Sequence, residues 1–321
     1  MSEAPLFEQI RAACAEVARR ARSVRIDDEA LERFAALLAR ERPPVPSLDP
    51  AQRPFADADT TLAFVLTINA INFGSGWFPE LRKRDGLSGY LSIATALREH
   101  FEKSGAPSAG TLQGLRRQDC AAIFGQPDSG PAGELMGLYA EALRELGSFL
   151  ARRHGSRFRG PIEEAGGSAA RLVEILAEMP FYRDVSSYDG FSVPFYKRAQ
   201  ITAADLHGAF GGRGLGAFRD VDELTLFADN LVPHTLRMLQ VLRFDLLLER
   251  KIDAGELLPQ GSEPEVEIRA VALHAVEQIV RACRRRGWKV NAQRIDHLLW
   301  TRGQSPEIKA RPRHRTRCTF Y

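Results

Sequence analysis

From Glu265 to Arg286 the chain places Ile268, Ala272, Ala275, Ile279 and Cys283 on one stripe of a 3.6-residue period, with Glu267, Arg269, Gln278 and Arg281 off it. Apolar side chains at that spacing share a face only on a helix, so a long amphipathic helix is predicted here. The same period recurs in Phe7 to Ala21, Ala30 to Leu38, Leu62 to Phe73, Gly133 to Leu150 and Ala169 to Met179. No pair of β-branched alternating runs joined by an Asn-Gly or Asp-Gly turn is read from the sequence, and the expected fold is all-α. Breakers at Arg42 to Pro54, Gly105 to Gly110, Gly125 to Pro131, Gly160 to Gly167, Gly208 to Gly216 and Leu258 to Pro264 are short enough to be loops between packed helices. With no repeat and no low-complexity tract, residues 1–321 are expected to form one compact helical domain, with residues 1–130 as a possible subdomain.

At 321 residues and 44% hydrophobic composition the chain can bury a large core without staples. Its cysteines, Cys14, Cys120, Cys283 and Cys318, show neither CxxC pairing nor metal-ligand spacing, so they read as reduced thiols of a cytoplasmic protein. The N-terminal segment has acids and arginines at helical spacing rather than an apolar signal core, and no run reaches the length of a membrane span. The formal net charge is +3, yet Lys309, Arg311, Arg313, Arg315 and Arg317 all lie between Ile308 and Tyr321 without an acid among them. The rest of the chain is slightly negative. A duplex binder spreads basic charge over a face, so this distribution favours a small anionic ligand over a nucleic-acid polymer. No membrane partner is expected, and the chain is expected to be a monomer.

Several segments carry residues suited to chemistry. Phe210 to Ala217 holds four glycines but lacks the Lys-Ser/Thr of a phosphate loop, and it reads as a turn between helices. In Phe227-Ala-Asp-Asn-Leu-Val-Pro-His234 a carboxylate and an amide follow an apolar run, and Pro233 suits the first turn of a helix continuing to Arg243. Asp229 or Asn230 there is ordinarily a cap. Beside apolar walls at a helix mouth, Asp229 could instead stabilise a developing cation or orient a water. Phe195-Tyr-Lys-Arg-Ala-Gln200 is placed in a helix after Pro194, where Lys197 either solvates a face or neutralises an anion. Asp296 and Trp300 are four apart and share a helix face: a surface acid near a half-buried indole, or a nucleobase pocket in which the indole stacks and the carboxylate accepts from a guanine-like edge. The tail Arg311 to Tyr321 is either a solvated basic end or an ordered strap over a phosphate.

Taken in order, Asn69-Ala-Ile-Asn-Phe73, Phe195 to Gln200, Phe227-Ala-Asp-Asn with Val232-Pro233, Glu265-Val-Glu-Ile-Arg-Ala270, Asp296 with Leu299-Trp300, and His314-Arg-Thr316 resemble the queuosine salvage protein family. The resemblance runs from about residue 60 to the C-terminus. It implies a single helical domain, distantly like the helix-hairpin-helix DNA glycosylases, that cleaves queuosine 5′-monophosphate into queuine and ribose 5-phosphate without metal or cofactor. By that resemblance the essential carboxylate falls on Asp229 and the base pocket on Phe227, Asn230, Asp296 and Trp300. Ribose and phosphate ligands fall on Lys197, His234, His314, Arg315 and Tyr321, and Asn72 and Phe73 join the substrate-binding set. Two other classes compete: a DNA or RNA base-excision glycosylase, which the glycine-rich turn before Asp229 suggests and the charge distribution disfavours, and a helical protein that binds a modified nucleoside without cleaving it.

Overall fold

The computed structural model describes residues 4–44 and 53–321; most of the Arg42 to Pro54 breaker lies outside the described residues. In chain order the elements are α1 (Leu6–Arg20), β1 (Val24–Ile26), α2 (Asp28–Glu41), α3 (Ala58–Ala70), α4 (Gly89–Ser104), α5 (Ala109–Gln113) and α6 (Arg117–Phe124). There follow α7 (Gly130–His154), α8 (Gly160–Ala165), α9 (Ala169–Leu176), β2 (Val185–Tyr188), β3 (Phe191–Pro194) and α10 (Lys197–Ala209). The chain closes with α11 (Leu231–Met238), β4 (Leu242–Phe244), α12 (Leu246–Asp253), α13 (Glu263–Arg285), α14 (Ala292–Gly303) and α15 (Pro306–Lys309). The fold is predominantly α-helical, as the periodicity predicts.

The described residues gather into two compact units, neither a contiguous run. One takes in Leu48–Asp184, Arg198–Val221 and Cys318–Tyr321. Its centre is α7, against which α3, α5, α6 and α8 pack. Gly147 permits the approach of α5, since a Cβ there would sit 2.5 Å from the Ala109 carbonyl oxygen. The other unit takes in Met1–Ser47, Val185–Lys197 and Asp222–Arg317. Its centre is α13, which touches α1, α2, α11, α14 and the strands β1, β2 and β4.

That central place changes what the Glu265–Arg286 pattern means. Glu267 and Arg269, which the periodicity sets off the apolar stripe, are each only 1% exposed, because partners cover α13 on almost every side. Buried charge must be met by donors or acceptors. Glu267 accepts from the backbone N–H of Arg22 (3.0 Å), Ser23 (2.7 Å) and Val24 (3.1 Å) and from the Tyr188 hydroxyl (2.8 Å), and so ties α13 to the start of β1 and the end of β2.

Two small antiparallel ladders correct the expectation of a chain without hairpins. β1 pairs with β4, Val24 opposite Phe244 and Ile26 opposite Leu242. β2 and β3 form a hairpin whose turn is Asp189-Gly190, with φ of 45° and 82°. This is the Asp-Gly turn signal itself, overlooked because Ser186 and Ser187 break the β-branched alternation beside it. Pairing with β4 also ends α11 at Met238, five residues short of the expected Arg243. Phe195 and Tyr196 precede α10 instead of lying inside it, and α3 stops at Ala70, which leaves Phe73 in the following turn.

Candidate functional site

The loop from Leu224 to Asn230 carries the carboxylate of interest. Leu224, Leu226 and Phe227 are buried and pull the loop into the α13-centred unit, so that Asp229 arrives half-buried at the N-terminus of α11. Its Oδ1 accepts from the N–H groups of Leu231 (2.8 Å) and Val232 (2.9 Å), two donors that a helix start would otherwise leave unmet. The capping use of this residue is therefore real. Both bonds fall on Oδ1, which leaves Oδ2 outside the cap. Asn230 is buried next to it, and its Nδ2 has no hydrogen-bond partner among the described residues.

Helix α14 brings the second carboxylate. Asn291 caps its start by accepting from Arg294 N–H (2.9 Å), and Gly303 at its end lets α11 pack closely: a Cβ there would sit 2.6 Å from Thr235 Oγ1 and 2.9 Å from Leu231 Cγ. Asp296, on the buried side, accepts the Phe227 N–H through Oδ1 at 3.2 Å, so it grips the loop two residues before Asp229. Burial pushes its carboxyl well above the usual carboxylate range. The neighbouring Asp229 raises it further, while the Phe227 N–H and the Lys197 charge oppose the rise. One turn on, Trp300 is half-buried.

Lys197 is buried at the start of α10, after Tyr196, whose φ of 47° lies in the left-handed region uncommon for a bulky side chain. Phe195 lies beneath the Arg269 guanidinium, 4.0 Å from Cζ to ring centroid, and Arg269 Nε donates to the Ala228 carbonyl at 3.1 Å.

The basic tail is ordered. After α15, burial alternates with a period of two at His314, Thr316 and Cys318, as in an extended segment, and Leu258 N–H donates to the Arg315 carbonyl at 2.8 Å. His234 on α11 faces the Ile308 carbonyl through Nε2 at 3.0 Å. Burial lowers the His234 imidazole to about 4 and that of His314 to about 3, the latter also because His234 and Arg313 stand near, so both are neutral at pH 7. The Arg313 guanidinium feels burial first and then the attraction of Asp229.

In the α7-centred unit, Arg198 donates to the carbonyls of Asn69 (3.2 Å) and Ala70 (2.6 Å), closing the C-terminus of α3, and its guanidinium lies 4.9 Å from the centroid of Phe73. Asn72 Nδ2 donates to Asn69 Oδ1 (3.1 Å), the Tyr139 hydroxyl donates to the Phe73 carbonyl (2.9 Å), and Gly74 N–H donates to the Tyr321 carbonyl (3.0 Å). Asn72, Phe73 and Tyr321 are thus built into one corner. Of the sequence-derived candidates, the other unit gathers Phe227, Asp229, Asn230, Asp296 and Lys197 around one loop and sets His234 beside His314.

A family model described as queuosine salvage protein matches residues 52–321. The chain belongs to the queuosine salvage protein family. Curated members named queuosine 5′-phosphate N-glycosylase/hydrolase include one from Sphaerobacter thermophilus, 39% identical over 95% of both chains. Another, from Mus musculus, is 30% identical over 95% of this chain and 96% of its own, and one from Dictyostelium discoideum is 39% identical over 56% of each.

Within this queuosine salvage chain the sequence gives no individual role to Arg269, Glu265 or Phe195, and it places Arg313 only among the tail cations. Glu265 and Arg269 stand i,i+4 on α13, and a pair at that spacing usually marks a solvated face; only the burial of α13 on all sides turns it inward. Among the described residues no group of His, Cys, Asp or Glu is arranged to hold a metal ion, and no helix is long and apolar enough to cross a membrane.

Proposed function

We propose that this chain hydrolyses the N-glycosidic bond of queuosine 5′-monophosphate, releasing queuine and ribose 5-phosphate. The observation that carries the reading is the carboxylate of Asp229, fixed at a helix mouth by two N–H donors to a single oxygen, with a second buried carboxylate, Asp296, bonded to the same loop. The family names agree with it.

Queuine is a 7-deazaguanine, so it lacks the N7 through which purine leaving groups are protonated. Cleavage then depends on stabilising positive charge at C1′ as the C–N bond lengthens, and on holding the departing base. Asp229 Oδ2 is the group for the first task. A water oxygen attacks C1′, the bonding pair leaves with the base nitrogen, and the water proton ends on the released base. Trp300 stacks on the heterocycle, and Asp296 accepts from its N1–H and exocyclic amine. A donor edge that meets Asp296 favours its ionised form, which burial and Asp229 otherwise oppose. Phe227 and Asn230 complete the base pocket. Lys197, Arg315, His234 and His314 serve the ribose and the 5′-phosphate.

The slightly negative body and the confinement of excess cations to the tail support a free nucleotide as substrate rather than a nucleic-acid polymer. We infer further that residues 1–321 act as one hydrolase domain, as a monomer in the cytoplasm. The test is incubation of the purified protein with queuosine 5′-monophosphate, followed by chromatography. Queuine and ribose 5-phosphate in equal amounts are expected. Binding without cleavage would make the chain a nucleoside-binding protein, and cleavage confined to bases within a polynucleotide would make it an excision glycosylase.

A further inference from the structure

Arg269 and Glu265 on α13 are each only 1% exposed, and their charged groups lie 3.7 Å apart. A buried ion pair adds little to stability, because desolvation of both ions consumes most of the attraction. The contacts of this pair give it another use. Arg269 Nε donates to the Ala228 carbonyl at 3.1 Å, and that carbonyl belongs to the same planar peptide as the N–H of Asp229. The guanidinium also covers the ring of Phe195 at 4.0 Å, two residues before Lys197. Glu265 is anchored in turn, accepting the Gly261 N–H through Oε2 at 3.1 Å. One rigid cation on the central helix therefore touches the two segments that deliver Asp229 and Lys197 to the site.

We propose that Arg269, braced by Glu265 and Phe195, is a positioning residue that fixes the peptide plane entering Asp229 and with it the placement of the Asp229 carboxylate against C1′. The inference rests on the proposed hydrolysis. A carboxylate that must face a developing cation tolerates little displacement, and an error near 1 Å can cost on the order of a hundredfold in rate. Arg269→Lys keeps the charge and a donor but loses the planar fork and its stacking on Phe195. Its expected effect is a fall in kcat of about ten- to a hundredfold, with the dissociation constant for queuine changed less than about threefold, because Asp296 and Trp300, the main base contacts in the proposed mechanism, lie on α14 rather than on the 228–229 peptide.

The experiment is a double-mutant cycle. Turnover of queuosine 5′-monophosphate and queuine binding by calorimetry are measured for wild type, Arg269→Lys, Asp229→Asn and the double variant. If Arg269 acts through Asp229, adding Arg269→Lys to Asp229→Asn costs less than about threefold further. Equal losses in both backgrounds, or a loss of queuine affinity matching the loss of kcat, overturn the proposal and make Arg269 structural. Phe195→Leu, which leaves the ion pair intact and removes only the ring, carries the same expectation and replaces Arg269→Lys if that variant does not fold. Absence of cleavage by the wild type would instead refute the proposed hydrolysis, so the two failures are distinct.

Discussion

In the proposed mechanism Asp229 does two jobs with one carboxylate, and its two oxygens separate them: Oδ1 caps α11, and Oδ2 is left for C1′. The capping job was legible in the sequence from an acid just before an apolar helical run. Its coincidence with a catalytic role was not, because a cap and a cation-stabilising carboxylate need the same residue type at the same place. Asp296 offers a contrast. Its i,i+4 relation to Trp300 could be read directly, but its burial and its bond to Phe227 N–H depend on how α14 meets a loop almost seventy residues away. Since burial and Asp229 raise its pKa, the folded state binds this proton more tightly than the unfolded chain does. The ionised form consequently destabilises the fold above the ordinary carboxylate range. Asp296→Asn, which keeps an oxygen for Phe227 N–H, should raise stability at pH 7.5 while weakening queuine binding, and the gain should shrink toward pH 4. Denaturant titration at the two pH values checks it; an Asn variant less stable at pH 7.5 would show that the charge is well satisfied.

Helices α11 and α14 hold the site together through Gly303. Its role as the contact that lets α11 come close is set by tertiary packing. Gly303→Val would press on Thr235 and Leu231, and α11 would shift with the cap that Asp229 forms. Overpacking of this kind costs about 1 to 3 kcal/mol, so a fall of several degrees in melting temperature is expected together with a fall in turnover. Unchanged melting and turnover would mean that the helices adjust freely. Period marks α1, α2, α3, α7, α9 and α13, whereas α4 is not read from it and α8 lies inside a stretch read as a loop. Nor does alternation mark the strands: β1 and β4 are three residues each, below the length at which alternation can be counted, and the β2–β3 hairpin carries serines. The buried charges of α13 were misread for a related reason, since a helix enclosed on all sides breaks the rule that polar positions mark the wet face.

Across the whole chain, burial lowers the pKa of His154, His234, His274, His297 and His314. A histidine whose folded pKa lies below its unfolded value adds stability that is fully present above about 6.5 and is lost as pH falls toward the folded value. His234 and His314, at about 4 and about 3, each account for up to about 1.4 kcal/mol per pH unit between about pH 6.5 and 4. The raised carboxyls of Asp296 and Glu145 act in the opposite sense, but the histidines outnumber them. Stability should therefore fall between pH 6.5 and 5 and change little from pH 7 to 8; thermal melting that is flat or rising on acidification would contradict the neutral buried histidines. The tail belongs to the same picture, since Ile308, His314, Thr316, Cys318 and Tyr321 are all buried, and its function is better probed by point substitution than by deletion.

The central claim is that the Asp229 carboxylate drives glycosidic cleavage, and Asp229→Asn tests it most directly because Asn retains an oxygen to cap Leu231 and Val232 while losing the charge. Steady-state release of queuine from queuosine 5′-monophosphate should fall by about a thousandfold or more in a variant whose melting temperature and queuine affinity stay close to wild type. A variant that keeps kcat within about tenfold of wild type, a barrier change of only about 1.4 kcal/mol, would remove Asp229 from the chemistry.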